Sequence, residues 1–269
     1  MLRLGIIEHL YAQPLFHWLV ERAKGVSPPF ELLKSRQTGT GTLALELRQK
    51  RLDGAFLSPI DYAKDYGMYR VVQGVGAVSR GDSNTIALLF NENLRGIETL
   101  AVDVSSTSEI VLAHLVLKEK YGVAPRIVPV SGLGEASLRK ADAALLVGDA
   151  ALAMRRKSNK IDLVDEWMDL TGLPYVHGFW VTRDGGLTAP QTNYVIESAE
   201  AGKENIESII PPSELEYIGQ FEYDLNDEAL DSVGELFRMA YYHGILKDIP
   251  NMAFHRVGDE PLPPSVILN

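Results

Sequence analysis

Short apolar runs and longer amphipathic stretches alternate along most of this chain. Leu2–Ile7, Phe30–Lys34, Asp53–Ser58, Tyr69–Val78 and Thr85–Phe90 read as strands bounded by polar or turn-forming residues. A helix is predicted from Pro14 to about Lys24, with Pro in its first turn and Gly25 as its stop. TGTGT (Thr38–Thr42) leads into a second helix ending near Lys50, and Pro59 opens a short third one through Ala63. The turn Ser79-Arg80-Gly81-Asp82 separates the fourth and fifth strands, and the polar stretch Asn91–Gly96 reads as a boundary.

A second series follows. Leu100–Val104, Arg126–Val130 and Ala143–Val147 are strand-like, with a short helix near Glu135–Lys140 and a helix over Asp165–Pro174. Tyr175–Arg183 is a strong strand, and Asn226–His243 carries Leu230, Val233, Phe237 and Ala240 on one helical face. Alternating strands and helices predict an α/β protein with mainly parallel sheets and ligand at the strand C-terminal ends. Two such series, the first completed by the tail, predict two lobes around a cleft, with the return crossing at Tyr175–Arg183. Residues 1–90 with 182–269 would form one lobe and 91–181 the other.

The stretch Thr99–Leu117 organises the second series. A strand opens through Ser105, Ser106, Thr107 and Ser108 into an amphipathic helix, and Ser106 to Glu109 has the capping-box spacing. Backbone N–H groups and the positive dipole end facing a crevice would suit a carboxylate or phosphate, with the hydroxyls as added donors. An ordinary capped helix with incidental serines fits the same residues.

Composition narrows the classes. The chain has 269 residues, 46% hydrophobic and 23% charged, enough for a large core and two lobes. A formal charge of −10 with scattered Lys and Arg argues against nucleic acid, while local donors can still bind a small anion. No cysteine is present, which removes disulfides and thiolate chemistry, and the six histidines lack metal-ligand spacing. No apolar run approaches the ~18 residues of a membrane span, and Glu8 and His9 interrupt the N-terminal apolar stretch, so a cytoplasmic protein is expected. TGTGT and SGLGEAS (Ser131–Ser137) fit neither the dinucleotide nor the Walker pattern and read as turns. The hydrolase elbow is absent. His114 reads as packed or half-exposed, Trp18, Trp167 and Trp180 as core, and Arg80 as a loop arginine that is a candidate carboxylate clamp.

These segments carry a resemblance running nearly end to end: LDGAFLSPIDYA (Leu52–Ala63), VSRGDSNTIALLF (Val78–Phe90), VSSTSEIVL (Val104–Leu112) and ADAALLVGDAAL (Ala141–Leu152). DEWMDLTGLPYVHGFW (Asp165–Trp180) and the stretch Tyr223–Leu246 continue it. In their order and spacing the chain resembles the MqnA family of menaquinone biosynthesis, the chorismate dehydratases of the futalosine route. The resemblance implies a two-lobed type II periplasmic-binding-protein fold with an interlobe cleft. It implies dehydration of chorismate, a small dianion, to 3-[(1-carboxyvinyl)oxy]benzoate, with no metal, flavin or nicotinamide. Aromatisation drives that reaction, so the demand on the protein is to hold two carboxylates, exclude water and place proton-transfer groups.

On this reading the expected donors are Ser58 at its strand end, Thr85 at the interlobe crossing, where the family usually has serine, and Ser106-Thr107-Ser108. Asp149 either orients a substrate hydroxyl or caps the following helix. The first loop departs from the pattern S-Y-L-N-x-x-P-L-F, reading E-H-L-Y-A-Q-P-L-F, so Tyr11 stands at the family asparagine. Glu8 brings a negative charge toward a pocket for a dianion, and His177 replaces an aromatic residue. Glu8, His9, Tyr11 and His177 are either rearranged acid–base groups or tolerated variation. Two classes compete: a dehydratase acting on chorismate or a near relative, and a non-catalytic protein that binds a small carboxylate. The missing export signal favours the first, and the lost asparagine favours the second or a changed substrate.

Overall fold

Eleven strands form among the described residues of the computed structural model, which are 1–35, 39–91, 96–132, 134–218 and 220–255. Thr38 of TGTGT, residues 92–95 of the expected boundary, Leu133 of SGLGEAS and the tail from 256 lie outside them. The strands are β1 (Leu2–Ile7), β2 (Phe30–Ser35), β3 (Gly54–Leu57), β4 (Tyr69–Ser79), β5 (Ile86–Phe90) and β6 (Thr99–Val102). They continue with β7 (Arg126–Pro129), β8 (Ala143–Val147), β9 (Lys160–Asp162), β10 (Tyr175–Arg183) and β11 (Phe221–Glu222). The helices are α1 (Gln13–Ala23), α2 (Gly41–Arg48), α3 (Pro59–Ala63), α4 (Thr107–Tyr121) and α5 (Asp149–Ala153). After them come α6 (Leu163–Thr171), α7 (Ala189–Glu204), α8 (Ile206–Ile209), α9 (Leu215–Ile218) and α10 (Asp227–Tyr242). The expected helix near Glu135–Lys140 is a 3-10 turn over Glu135–Arg139.

Two sheets result, ordered β11-β4-β10-β3-β1-β2 and β7-β6-β8-β5-β9. Both are mixed, where mainly parallel sheets were expected. In the first, β2, β1 and β3 run parallel, while β10 lies antiparallel to β3 and β4. In the second, β7, β6 and β8 run parallel, while β5 pairs antiparallel with β8 and β9. β5 and β10 each follow a crossing, and the short β11 also lies antiparallel to β4. The chain passes from one sheet to the other through residues 80–85 and returns through 163–174, so each sheet is entered from the partner's side.

These positions move the expected boundaries. β5 was assigned to the first lobe and most of β10 to the second, yet β5 lies in the second sheet and β10 in the first. The sheets therefore divide at the two crossings, not at 90/91 and 181/182. An apolar run marks a buried strand without saying which sheet receives it.

Helix ends follow local chemistry. The Asp162 carboxylate accepts the Val164 and Asp165 N–H groups at the start of α6, and Asn226 accepts Ala229 N–H at the start of α10. One apolar cluster continues through both sheets, with Phe16, Phe56 and Trp180 packed edge to face. Trp167 and Trp180 are fully buried, and Trp18 is partly exposed. Among the described residues no helix is long and apolar enough to cross a membrane.

Trp167 ties the return crossing to the tail: its indole N–H lies 3.2 Å from both the Pro174 carbonyl and Ser232 Oγ. Replacing it (Trp167→Phe) leaves both acceptors one donor short and should lower stability by about 1–3 kcal/mol. Urea unfolding with an unchanged midpoint would contradict that role.

Candidate functional site

The first sheet's loops meet the second sheet's along a seam, and backbone approach there is close. A Cβ on Gly39 would lie 1.6 Å from the Ser105 carbonyl oxygen. Gly148, at φ +61°, lies under the His9 ring, where a Cβ would come within 2.2 Å of Nδ1. Leu10 N–H donates to Asp149 Oδ1 across the seam at 2.9 Å, and Ile60 N–H donates to Ser108 Oγ at 2.9 Å. Lys64 Nζ reaches Thr107 Oγ1 at 3.3 Å while pairing with Asp61 Oδ1 at 2.8 Å.

This packing corrects the expectation of an open crevice at the α4 start. Ser106 and Ser108 have no exposed surface, because Gly39 and the α3 start cover them. The capping box is not formed either. Ser106 makes no side-chain cap, and Glu109 turns to its own amide N–H. A ligand reaches this turn only if the two halves part.

Tyr11 sits in a turn just before α1, fully desolvated among rings. It stacks on His9 at 5.6 Å and on Phe221 at 5.1 Å, and tilts against His177 at 4.9 Å. Its carbonyl accepts the Tyr223 hydroxyl at 2.8 Å. Tyr175 meets the His177 ring edge-on at 5.1 Å, and His177 Nε2 lies 2.7 Å from Ser79 Oγ. Burial, with His9 adding repulsion, pushes the His177 imidazole down to about 3, so it is neutral at physiological pH. Burial also raises the Tyr11 phenol well above its ordinary range, and the charges of Glu109 and Asp149 add to this. Tyr175 shifts the same way by burial and by Glu109.

A hydroxyl–carboxylate network flanks these rings. Thr40 Oγ1 accepts Ser58 N–H at 2.9 Å and donates to Asp61 Oδ2 at 2.7 Å, and Ser58 Oγ donates to the same carboxylate oxygen at 3.2 Å. At the outgoing crossing, Ser83 Oγ and Thr85 Oγ1 lie 2.8 Å apart, and the Thr85 carbonyl accepts Gly148 N–H at 2.7 Å. Thus His9, Tyr11, Ser58, Thr85, Ser106, Thr107, Ser108, Asp149 and His177 all come to the seam. Arg80 does not join them as a free clamp. Its guanidinium is held by Glu222 at 2.9 Å and Glu228 at 3.0 Å, whose charges raise its pKa further. Asp149 spends its carboxylate on the opposite half, not on capping its own helix. Glu8 turns outward toward Lys34, 4.0 Å away, so its charge is not in the ring cluster.

Glu109 is the functional candidate that spacing concealed. It is 4% exposed, and its Oε2 is buried with no hydrogen-bond partner, as is the Tyr175 hydroxyl. Burial pushes its carboxyl up to about 8, its own amide N–H opposing and Asp61 adding. It therefore carries a proton at neutral pH. Among the described residues no cluster of metal-ligating side chains forms. A groove of about 530 Å³, lined by Val20, Phe30, Leu32 and Lys34, lies away from this chemistry.

A family model described as menaquinone biosynthesis matches residues 2–242. Among solved structures, protein AF1704 from Archaeoglobus fulgidus aligns with a TM-score of 0.66 at 17% identity, covering 91% of this chain and 98% of that one. The alkanesulfonate-binding protein SsuA from Xanthomonas axonopodis pv. citri, bound to MOPS, aligns with a TM-score of 0.65 at 17% identity over 93% and 95%. A Candida albicans protein, the CA3427 gene product, has the generic periplasmic binding protein structural fold. It aligns at 0.62 and 14% identity over 96% and 99%. Identities this low carry the fold alone: an α/β, two-lobed periplasmic-binding-protein architecture.

Two outcomes follow from the seam. The added methyl of Gly39→Ala should hold the lobes apart and increase the radius of gyration in small-angle scattering; an unchanged radius would contradict the close approach. For Glu109, the unfolded carboxyl releases its proton near 4.5 and the folded one near 8. Stability from this group is thus fully present below the lower value and lost as pH rises through the upper. Glu109→Gln should therefore gain melting temperature relative to the unsubstituted chain between about pH 5 and about pH 8. A pH-independent difference would contradict the buried, protonated state.

Proposed function

Because this chain belongs to the menaquinone-biosynthesis family, we propose that it is a chorismate dehydratase-like lyase, converting chorismate to 3-[(1-carboxyvinyl)oxy]benzoate. The observation that supports this reading most is the enclosure of neutral, proton-bearing groups between two lobes: Tyr11, Tyr175 and the protonated Glu109. Loss of water to form an aromatic ring needs no strong nucleophile. It needs a site that shuts out solvent and supplies and accepts a proton in register.

The lobes divide at residues 80–85 and 163–174 and open to admit the substrate. Chorismate's carboxylates meet hydroxyl and amide donors, because the cations nearest the seam are engaged: Lys64 with Asp61, and Arg80 with Glu222 and Glu228. Ser58, Thr85 and the Ser106-Thr107-Ser108 turn supply those donors, the lobes parting to expose the α4 start and then closing on the ligand. Tyr11 donates its phenolic hydrogen to the substrate, its proton held firmly by burial. His9 and Asp149 report closure, since they meet across the seam with Nδ1 and Oδ1 4.0 Å apart. His177 accepts a hydrogen bond in its neutral form. No metal or organic cofactor enters, and the reaction takes place in the cytoplasm.

A second reading is a different small carboxylate as substrate or bound ligand. It is favoured by Tyr11, whose ring fills space between His9, His177 and Phe221 that an asparagine would leave open.

Incubating the protein with chorismate should produce an aromatic absorbance and a mass lower by one water. Unconverted chorismate under conditions where the protein is folded would overturn the lyase reading. A melting-temperature rise with chorismate or another small carboxylate, without turnover, would establish the binder. Tyr11→Phe should lower kcat about 100-fold while leaving the melting temperature close to the original; full activity would remove Tyr11 from the mechanism.

A further inference from the structure

Two polar atoms lie buried without partners on opposite sides of the seam: Glu109 Oε2, in the first turn of α4 on one lobe, and the Tyr175 hydroxyl, on β10 of the other. Both residues are almost wholly removed from solvent, at 4% and 1% exposure. Geometry brings the two elements together: Ser108 Oγ, one residue before Glu109, accepts Ile60 N–H of α3 at 2.9 Å, and Pro59 beside it lines one small pocket with Tyr175. The charge of Glu109 also raises the pKa of both phenols. Tyr11 and Tyr175 in turn flank the same His177 ring, at 4.9 and 5.1 Å. Buried polar atoms are seldom left unpaired, and two on facing sides of one seam call for a group that pairs with both. A carboxyl O–H and a phenol O–H donate, so the missing group is an oxygen acceptor.

We propose that Glu109 is the catalytic acid of this site, protonating the hydroxyl that departs as water, while Tyr175 donates a hydrogen bond to the same oxygen. The proposal rests on the lyase reading above and deepens it by naming a proton donor. In the step, the C–O bond breaks and its electron pair stays with the departing oxygen, which takes the Glu109 proton and leaves as water. The neighbouring C–H bond breaks, its pair forms the new ring π bond, and its proton restores the Glu109 carboxyl. Nothing is oxidised or reduced, and the protein ends as it began.

Because Glu109 belongs to one lobe and Tyr11 and Tyr175 to the other, the set exists only when the lobes meet. Closure and acid strength are thereby coupled. In this closed form burial holds the proton on the carboxyl, and solvation on opening would return it toward the ordinary glutamate range. The charged and titratable groups that act with it are Asp61 on α3, Tyr11 in the first loop and Tyr175 on β10. The two phenols are held protonated by burial.

The test compares the full chain with Glu109→Gln and Glu109→Asp on chorismate across pH. The glutamine variant should fold, lose about 100-fold or more in kcat and keep KM within a few-fold, with partial recovery in the aspartate variant. The unsubstituted enzyme should lose kcat as pH rises through about 8, and that limb should vanish from the residual activity of Glu109→Gln. Full kcat in Glu109→Gln, or an alkaline limb that survives the substitution, would overturn the assignment and leave the lyase reading standing. No turnover by the unsubstituted protein would overturn that reading and the acid with it, so the two failures are distinct. Should Glu109→Gln fail to fold, the pH limb in Glu109→Asp decides: a limb shifted with the new carboxyl supports the assignment, and an unmoved limb overturns it.

Discussion

Close contact between the two lobes is the constraint from which the chemistry of this protein follows. Gly39 against Ser105 and His9 over Gly148 leave no room for a side chain, so the halves meet backbone to backbone at the first point and ring to backbone at the second. Glu109, His177, Tyr11 and Tyr175 all lie buried beside that contact. Desolvation then acts on each in the direction its chemistry dictates: acids keep their protons and the imidazole refuses one. The result is a neutral, proton-rich interior inside an acidic protein.

The placement of charge agrees with that arrangement. Ion pairs occupy the cations near the seam, and Arg155, just after α5, reaches across to Glu214 and lies over the Tyr217 ring of α9. Lys64 likewise spans Asp61 and Thr107. Such contacts tie one half to the other at the rim while hydroxyls and amides line the interior. Under the proposed function, a small carboxylate entering this space would be recognised by directed hydrogen bonds more than by net charge, which suits a chain of formal charge −10. The crossings confine the motion: with two strand connections between the sheets, relative movement has the form of a hinge.

Much of the fold was legible in the sequence because apolar periodicity is a local signal. Leu2–Ile7, Ala143–Val147 and Tyr175–Arg183 are strands as read, and the Asn226–His243 stretch folds as α10. Sheet membership was not legible. β5 and β10 are apolar enough to sit in either sheet, and pairing across long separations decides between them. β9 and β11 are too short to show a period. In the site, the departures at Tyr11 and His177 were visible as residues, but their ring cluster depends on Phe221 and Tyr175, far along the chain. Arg80 misled because its partners, Glu222 and Glu228, are 142 and 148 positions away. Glu109 was hidden by a sufficient local explanation. Its spacing from Ser106 fits a cap, and only burial shows that the carboxyl is used otherwise.

The most direct test of this account is a crystal structure of the protein with the aromatic product, 3-[(1-carboxyvinyl)oxy]benzoate, bound. The account predicts the ligand enclosed between the lobes, its carboxylates on seam hydroxyls and amides, and its ring within contact of Tyr11, Tyr175 and Glu109. A ligand seated outside the seam, with the start of α4 still covered by Gly39 and Glu109 still unpartnered, would contradict it.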